Sequence, residues 1–198
     1  MSHSYKTIFI TGTPGTGKTT VAKLLYDKLS AVNLVKLIDI NEIAIENDFV
    51  LEYNNEKDYK VIDIDKLDKK LTEIINNDKK EFFGAEFQFQ SKITIVEGHL
   101  SHLCSGADKV IVLRVNPFVL EKRLDSRNYV ESKIRDNLES EALGLCSSEA
   151  YEKYGGSVNE IDSSNLSPFD VVNLCMDIIF DKKFCPVGDV DFMDYFLD

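Results

Sequence analysis

The segment Gly12-Thr-Pro-Gly15-Thr-Gly17-Lys18-Thr19-Thr20 constrains this chain more than any other. A glycine, four residues and Gly-Lys-Thr form a phosphate-binding loop when they join a strand to a helix. The flanks meet that condition. Lys6-Thr-Ile-Phe-Ile-Thr11 reads as a buried strand, and Val21, Leu24, Leu25 and Leu29 recur at helical spacing. The glycines let successive N–H groups turn inward on an anion. The helix N-terminus adds its positive end. Lys18 is placed to supply a cation to the outer phosphates, and the Thr19 hydroxyl to ligate Mg²⁺.

The rest of the chain repeats this β–α alternation, which predicts a parallel sheet covered by helices on both faces. The expected strands are 7–10, 34–38, 93–97, 109–115 and 158–161. The expected helices are 18–29, 41–46, 64–76, 117–126, 129–154 and 168–180, with Gly144 a possible break in the fifth. Asn116-Pro117 and Ser167-Pro168 mark two helix starts, each an N-cap followed by proline at the first position. A length of 198 residues suits one such domain.

Charge and cysteine usage narrow the function. A net charge of −11 leaves no broad basic surface for a nucleic-acid backbone, so direct DNA binding is not expected. It suits a basic protein partner or plain solubility. Cys104, Cys146, Cys175 and Cys185 are scattered and form no zinc signature; free thiols in the cytoplasm, or in a nucleus, are expected. No 18-residue apolar run is present to span a membrane. Two stretches stand apart. Residues 39–68 carry ten acids and three lysines. Residues 77–92 mix charge with Phe82, Phe83, Phe87 and Phe89, which either cover the core or form a patch for a partner.

A second core strand, Ile93-Thr-Ile-Val-Glu97, ends in an acid and runs into Gly98-His99. An acid at that position lies beside the phosphate loop and holds the Mg²⁺ shell or orients water. His99 is a candidate to position water or sense a phosphate, and His102 a weaker one. The only arginines are Arg114, Arg123, Arg127 and Arg135. Arg123, Arg127 and Arg135 sit on and after one helix, and the group fits a basic lid over a charge-rich transition state or a solvated, ion-paired face.

These residues together resemble the adenylate kinase isoenzyme 6 family. The resemblance rests on the loop GTPGTGKTT, Glu97-Gly-His-Leu-Ser-His102, Val112-Leu-Arg114, Leu124-x-x-Arg127-x-Tyr129 and Lys133-Ile-Arg-Asp136-Asn137-x-Glu139-x-Glu141. It implies a three-layer α/β/α P-loop NTPase whose five parallel strands run in the order 2-3-1-4-5. It implies a monophosphate-binding region near 39–62 and a lid near 126–136 within one domain, residues 1–198. It implies ATP contacts at Gly15, Gly17, Lys18, Thr19, Thr20, Arg127 and Asn165, with Mg²⁺ at Thr19 and Glu97. Lys18, Arg127, Glu97 and His99 take the catalytic roles. The expected activity is ATP plus AMP to two ADP, with Mg²⁺-dependent ATPase activity and a link to small ribosomal subunit maturation. The alternative is an ATPase-driven assembly factor with little kinase activity, whose partner is a basic small-subunit ribosomal protein. The monophosphate region departs from the pattern in having no arginine, with Ile45 where some relatives place one. The acidic, apolar tail 184–198 either docks on its own domain through Phe192 and Phe196 or recognises a partner.

Overall fold

A computed structural model describes residues 4–54, 59–84 and 91–197. Five parallel strands form the central sheet: β1 (Ser4–Thr11), β2 (Leu34–Asp39), β5 (Ser91–Glu97), β6 (Lys109–Arg114) and β7 (Val158–Asp162). Their order is β2-β5-β1-β6-β7, which is 2-3-1-4-5 counted along the sheet-forming strands. Helices α1 (Lys18–Leu29) and α7 (Pro168–Ile179) pack on one face, with Leu25 and Val172 against Ile8, Ile10 and Ile95. Helices α2 (Ile40–Glu46), α3 (Ile64–Gly84) and α6 (Leu145–Tyr154) lie on the other, with Leu71 and Ala150 in one cluster with Phe9 and Val96. Alternate residues of β1 thus enter different cores, which is why its sequence is apolar throughout instead of alternating. A third cluster joins α4 (Pro117–Asp125) and α5 (Glu131–Ala142) through Leu120, Leu124, Ile134 and Leu138.

The expected strand order and most element positions match the structure, with three differences. The helix expected over 129–154 is two helices, α5 and α6. Gly144 sits between them at φ +64, and a Cβ there would stand 3.1 Å from the Arg114 guanidinium. Residues 50–54 and 59–62 contribute an antiparallel hairpin, β3 (Val50–Asn54) with β4 (Tyr59–Ile62), where no strand was expected. Helix α3 runs to Gly84 instead of ending at Asn76, because its last turns have tertiary partners. Phe82 is buried and meets Tyr5 at 6.2 Å between ring centroids, so it covers the core, whereas Phe83 is half exposed. Phe87 and Phe89 lie outside the described residues.

Asp78 on α3 ties that helix to three strands. Its carboxylate accepts from Lys92 Nζ at 2.7 Å, Lys36 Nζ at 3.2 Å, the Tyr5 hydroxyl at 2.8 Å and the Thr94 hydroxyl at 3.0 Å. Burial works to raise this carboxyl; Lys92, Tyr5 and Thr94 overcome it and hold the group below the usual aspartate value. Because the folded pKa is depressed, the contribution is present above the unfolded value and is lost as pH falls through the folded one. Asp78→Ala leaves the buried Lys92 ammonium without its carboxylate. It should cost about 3–5 kcal/mol in urea unfolding at neutral pH, and less in acid. An unchanged urea midpoint would show that Asp78 does not anchor α3.

Candidate nucleotide site

The loop leaves β1 at Thr11 and enters α1 at Lys18. Gly12 passes so close to β6 that a Cβ would lie 2.3 Å from the Leu113 carbonyl oxygen, and its φ of +133 excludes ordinary side chains. Lys18 is buried and donates to the carbonyls of Gly12 (2.8 Å) and Thr13 (3.0 Å). Burial pushes its ammonium down to about 8. The register pairs Ile10 of β1 with Glu97 of β5, and Glu97 with Asp39 of β2. Three strand ends therefore converge beside the loop. There the Thr19 hydroxyl donates to Glu97 at 2.9 Å. Burial, with the Asp39 carboxylate adding to it, pushes Glu97 up against the pull of Thr19. An all-oxygen set of hydroxyl and strand-end carboxylate fits a hard cation that takes its remaining ligands from phosphate and water.

The loop forms one wall of a cleft of about 820 Å³. Asn41 of α2 and Tyr53, Lys60 and Ile62 of the hairpin form another part of its lining. Arg127 and Tyr129 roof it, continued by Lys133, Asp136, Asn137 and Ser140 on one face of α5. His99 and His102 close its floor. Burial, with Lys18 nearby, pushes His99 down to about 4, so its imidazole is neutral at neutral pH. His102 is buried between two partners: Nδ1 lies 2.7 Å from the Thr11 hydroxyl and Nε2 2.8 Å from Glu149. That arrangement makes His102 a brace between β1 and α6.

Of the residues expected at the site, Gly15, Lys18, Thr19, Glu97, His99 and Arg127 line this one cleft. Gly17 and Thr20 lie in the same loop and first helical turn without lining it, and Thr20 is exposed. Asn165 sits exposed in the turn before α7, away from the cleft wall. The four arginines do not act as one cluster. Arg127 faces the cleft, and Arg123 reaches to 3.5 Å from the Gly15 carbonyl. Arg135 is exposed, 3.9 Å from Glu131. Arg114 is buried between Glu141 and Glu160. Residues not expected include Asn41, Tyr53 and Lys60. The spacing of Lys133, Asp136, Asn137 and Ser140 was legible as one helical face; the hairpin that carries Tyr53 and Lys60 was not.

A glycine-rich loop between strand and helix, a strand-end acid at its threonine and an arginine across the cleft define a P-loop α/β protein of kinase-like build. The family described as AAA domain matches residues 8–144. A protein of Methanothermobacter thermautotrophicus named "putative adenylate kinase" is 38% identical over 190 residues, covering 96% of this chain and 99% of its own. Proteins of the same name from Methanococcus maripaludis and Methanocaldococcus jannaschii are 38% and 37% identical, each over 96% of this chain and 97% and 95% of their own. The chain belongs to the AAA-domain family and to the family of these archaeal relatives. A shikimate kinase from Acinetobacter baumannii, solved with shikimate, shares the fold at a TM-score of 0.53 and 15% identity, over 90% of this chain and 95% of its own.

Glu97 supplies a test of the site's electrostatics. Its folded pKa is raised, so the carboxylate is penalised above that value and the penalty is absent below the unfolded one. Glu97→Gln should therefore raise the melting temperature at pH 7.5, with the gain vanishing near pH 4. A lower melting temperature at pH 7.5 would mean that the carboxylate is net stabilising where it stands.

Proposed function

We propose that this protein is a nucleoside monophosphate kinase that transfers the γ-phosphoryl group of ATP to AMP, with Mg²⁺-dependent ATPase activity at the same centre. One observation carries the reading: a single cleft runs from the phosphate loop to the hairpin wall. Its volume of about 820 Å³ falls toward the upper end of ligand clefts, about 300–1,000 Å³. A pure ATPase needs the loop wall alone. The names of the archaeal relatives support the same choice.

In this reading residues 39–62 bind the monophosphate and residues 126–136 form the lid. Gly15, Gly17 and the α1 N-terminus hold the ATP phosphates by backbone N–H groups. Lys18 exchanges the Gly12 and Thr13 carbonyls for phosphate oxygens. Thr19 and Glu97 hold Mg²⁺, which neutralises charge on the phosphate oxygens. Arg127 closes over the transferring group. Thr20 and the turn at Asn165 remain ATP contacts of the proposal, the latter on the adenine side. Lys60 and Tyr53 face the acceptor, so in a region that has no arginine the acceptor's charge meets a lysine. A lysine is a point charge without bidentate geometry, which lowers acceptor affinity. That feature, with the neutral His99 placed to orient water, favours a second reading. In it hydrolysis drives assembly of the small ribosomal subunit, as in an isoenzyme 6-type factor of the cytoplasm, and the acidic surface steers a basic ribosomal protein.

Labelled ATP with and without AMP separates the two. The kinase reading expects ADP formation to rise severalfold on adding AMP, with little inorganic phosphate. Phosphate release indifferent to AMP would establish the ATPase reading instead. Arg127→Ala should lower turnover by about 10²–10⁴-fold while weakening ATP binding far less. A change under threefold would return Arg127 to the solvated surface.

A further inference from the structure

A continuous buried chain of polar contacts runs from the phosphate loop to the C-terminal segment. The Thr13 hydroxyl of the loop donates to Glu141 at the end of α5. Glu141 also accepts from Arg114 Nε (2.8 Å) and from the Val115 N–H (2.9 Å). Arg114 Nη2 donates to the Glu141 carbonyl at 2.6 Å, and Nη1 donates to Glu160 on β7. The Ser147 hydroxyl holds the same Glu160 oxygen at 2.6 Å. The other oxygen, Oε2, accepts from the N–H groups of Gly188 (3.1 Å) and Val190 (3.4 Å). The Phe192 ring covers the Arg114 guanidinium at 5.2 Å. Thr13, Arg114, Glu141, Ser147 and Glu160 are all buried.

The charges in this chain do not balance: one guanidinium faces two carboxylates. The surplus is offset by donated hydrogen bonds, and among the described residues Glu160 Oε2 receives its donors from the tail alone. A buried carboxylate deprived of its donors is expensive. Freeing the tail therefore disturbs Glu160, then the Arg114–Glu141 pair, then the acceptor of the Thr13 hydroxyl. The tail also touches the second support of the loop. Tyr195 packs on Phe118 of α4 at 5.6 Å, and the same helix presses Leu120 and Leu124 on Gly15.

We propose that the segment 184–197 is a positioning element of the nucleotide site, acting on Thr13 through Glu160, Arg114 and Glu141. The inference rests on the nucleotide reading above. Coupling of this kind is reciprocal: the tail raises nucleotide affinity, and bound nucleotide tightens the tail by the same factor. A tail that served only as cover would add stability and leave affinity alone.

The test compares the full chain with one ending at Val187. The shorter chain keeps Cys185 paired with Asn159 and Glu160 on β7 and loses the Glu160 donors and Phe192. Titration calorimetry with Mg-ATP should show affinity weaker on the order of 5–100-fold. In the full chain, saturating Mg-ATP should slow amide exchange at Gly188 and Val190 by a matching factor. If the shorter chain does not fold, Phe192→Ala and Glu160→Gln in the full chain should each weaken binding. Phe196→Ala, at a half-exposed ring whose partner is Tyr195, should not. Affinities within twofold, or Gly188 and Val190 amides indifferent to Mg-ATP, would overturn the relay. No Mg-ATP binding by the intact chain would overturn the nucleotide reading itself.

Discussion

Everything at the site depends on the register of β1 against β5. Pairing Ile10 with Glu97 brings the start of the phosphate loop level with a strand-end carboxylate, and pairing Glu97 with Asp39 adds a second from the neighbouring strand. A slip of one residue would turn Glu97 toward the opposite layer and separate it from Thr19. The register is held from both ends of the strands: by Asp78 and its lysines at one, and by the Gly98 N–H on the Ile10 carbonyl at the other. The apolar packing of both faces makes the slip costly, so the geometry of the site is a by-product of how the core is filled.

The sheet and the loop wall were legible because their signals are local. Continuous Val/Ile runs mark two-sided strands, and the glycine spacing of the loop admits few alternatives. The hairpin was hidden for an opposite reason. Its residues are largely exposed, Leu51, Tyr53 and Val61 among them, so its apolar side chains do not follow the alternation of a buried face. Arg114 shows a different failure. Arginine beside a phosphate loop reads as a ligand, yet Val110 and Val112, which share its face of β6, are fully buried, and a guanidinium in that row is buried with them. What no local pattern could supply were its partners, Glu141 and Glu160, contributed by segments 27 and 46 residues away. The docked tail was legible in part. Its apolar content implied a surface to cover, but the pair that docks is Phe192 and Tyr195, with Phe196 left half exposed.

Helix α5 links the cleft to the buried Arg114 pair. Its exposed side carries Lys133, Asp136 and Asn137 along the cleft, and its last turn holds Glu141 in the core. At the Gly144 corner a Cβ would crowd the Arg114 guanidinium at 3.1 Å, so this end lies close against Arg114. The helix is then a lever with its fulcrum at Glu141. Its other end lies about ten residues away, or about 15 Å at 1.5 Å per residue, and Ile134 and Leu138 hold it to Leu120 and Leu124 of α4. A rotation of about 10° at the fulcrum displaces that end, where Arg127 and Tyr129 attach, by about 3 Å. Any displacement of that end therefore carries α4 along with α5, and needs no break in the helix and none in the sheet.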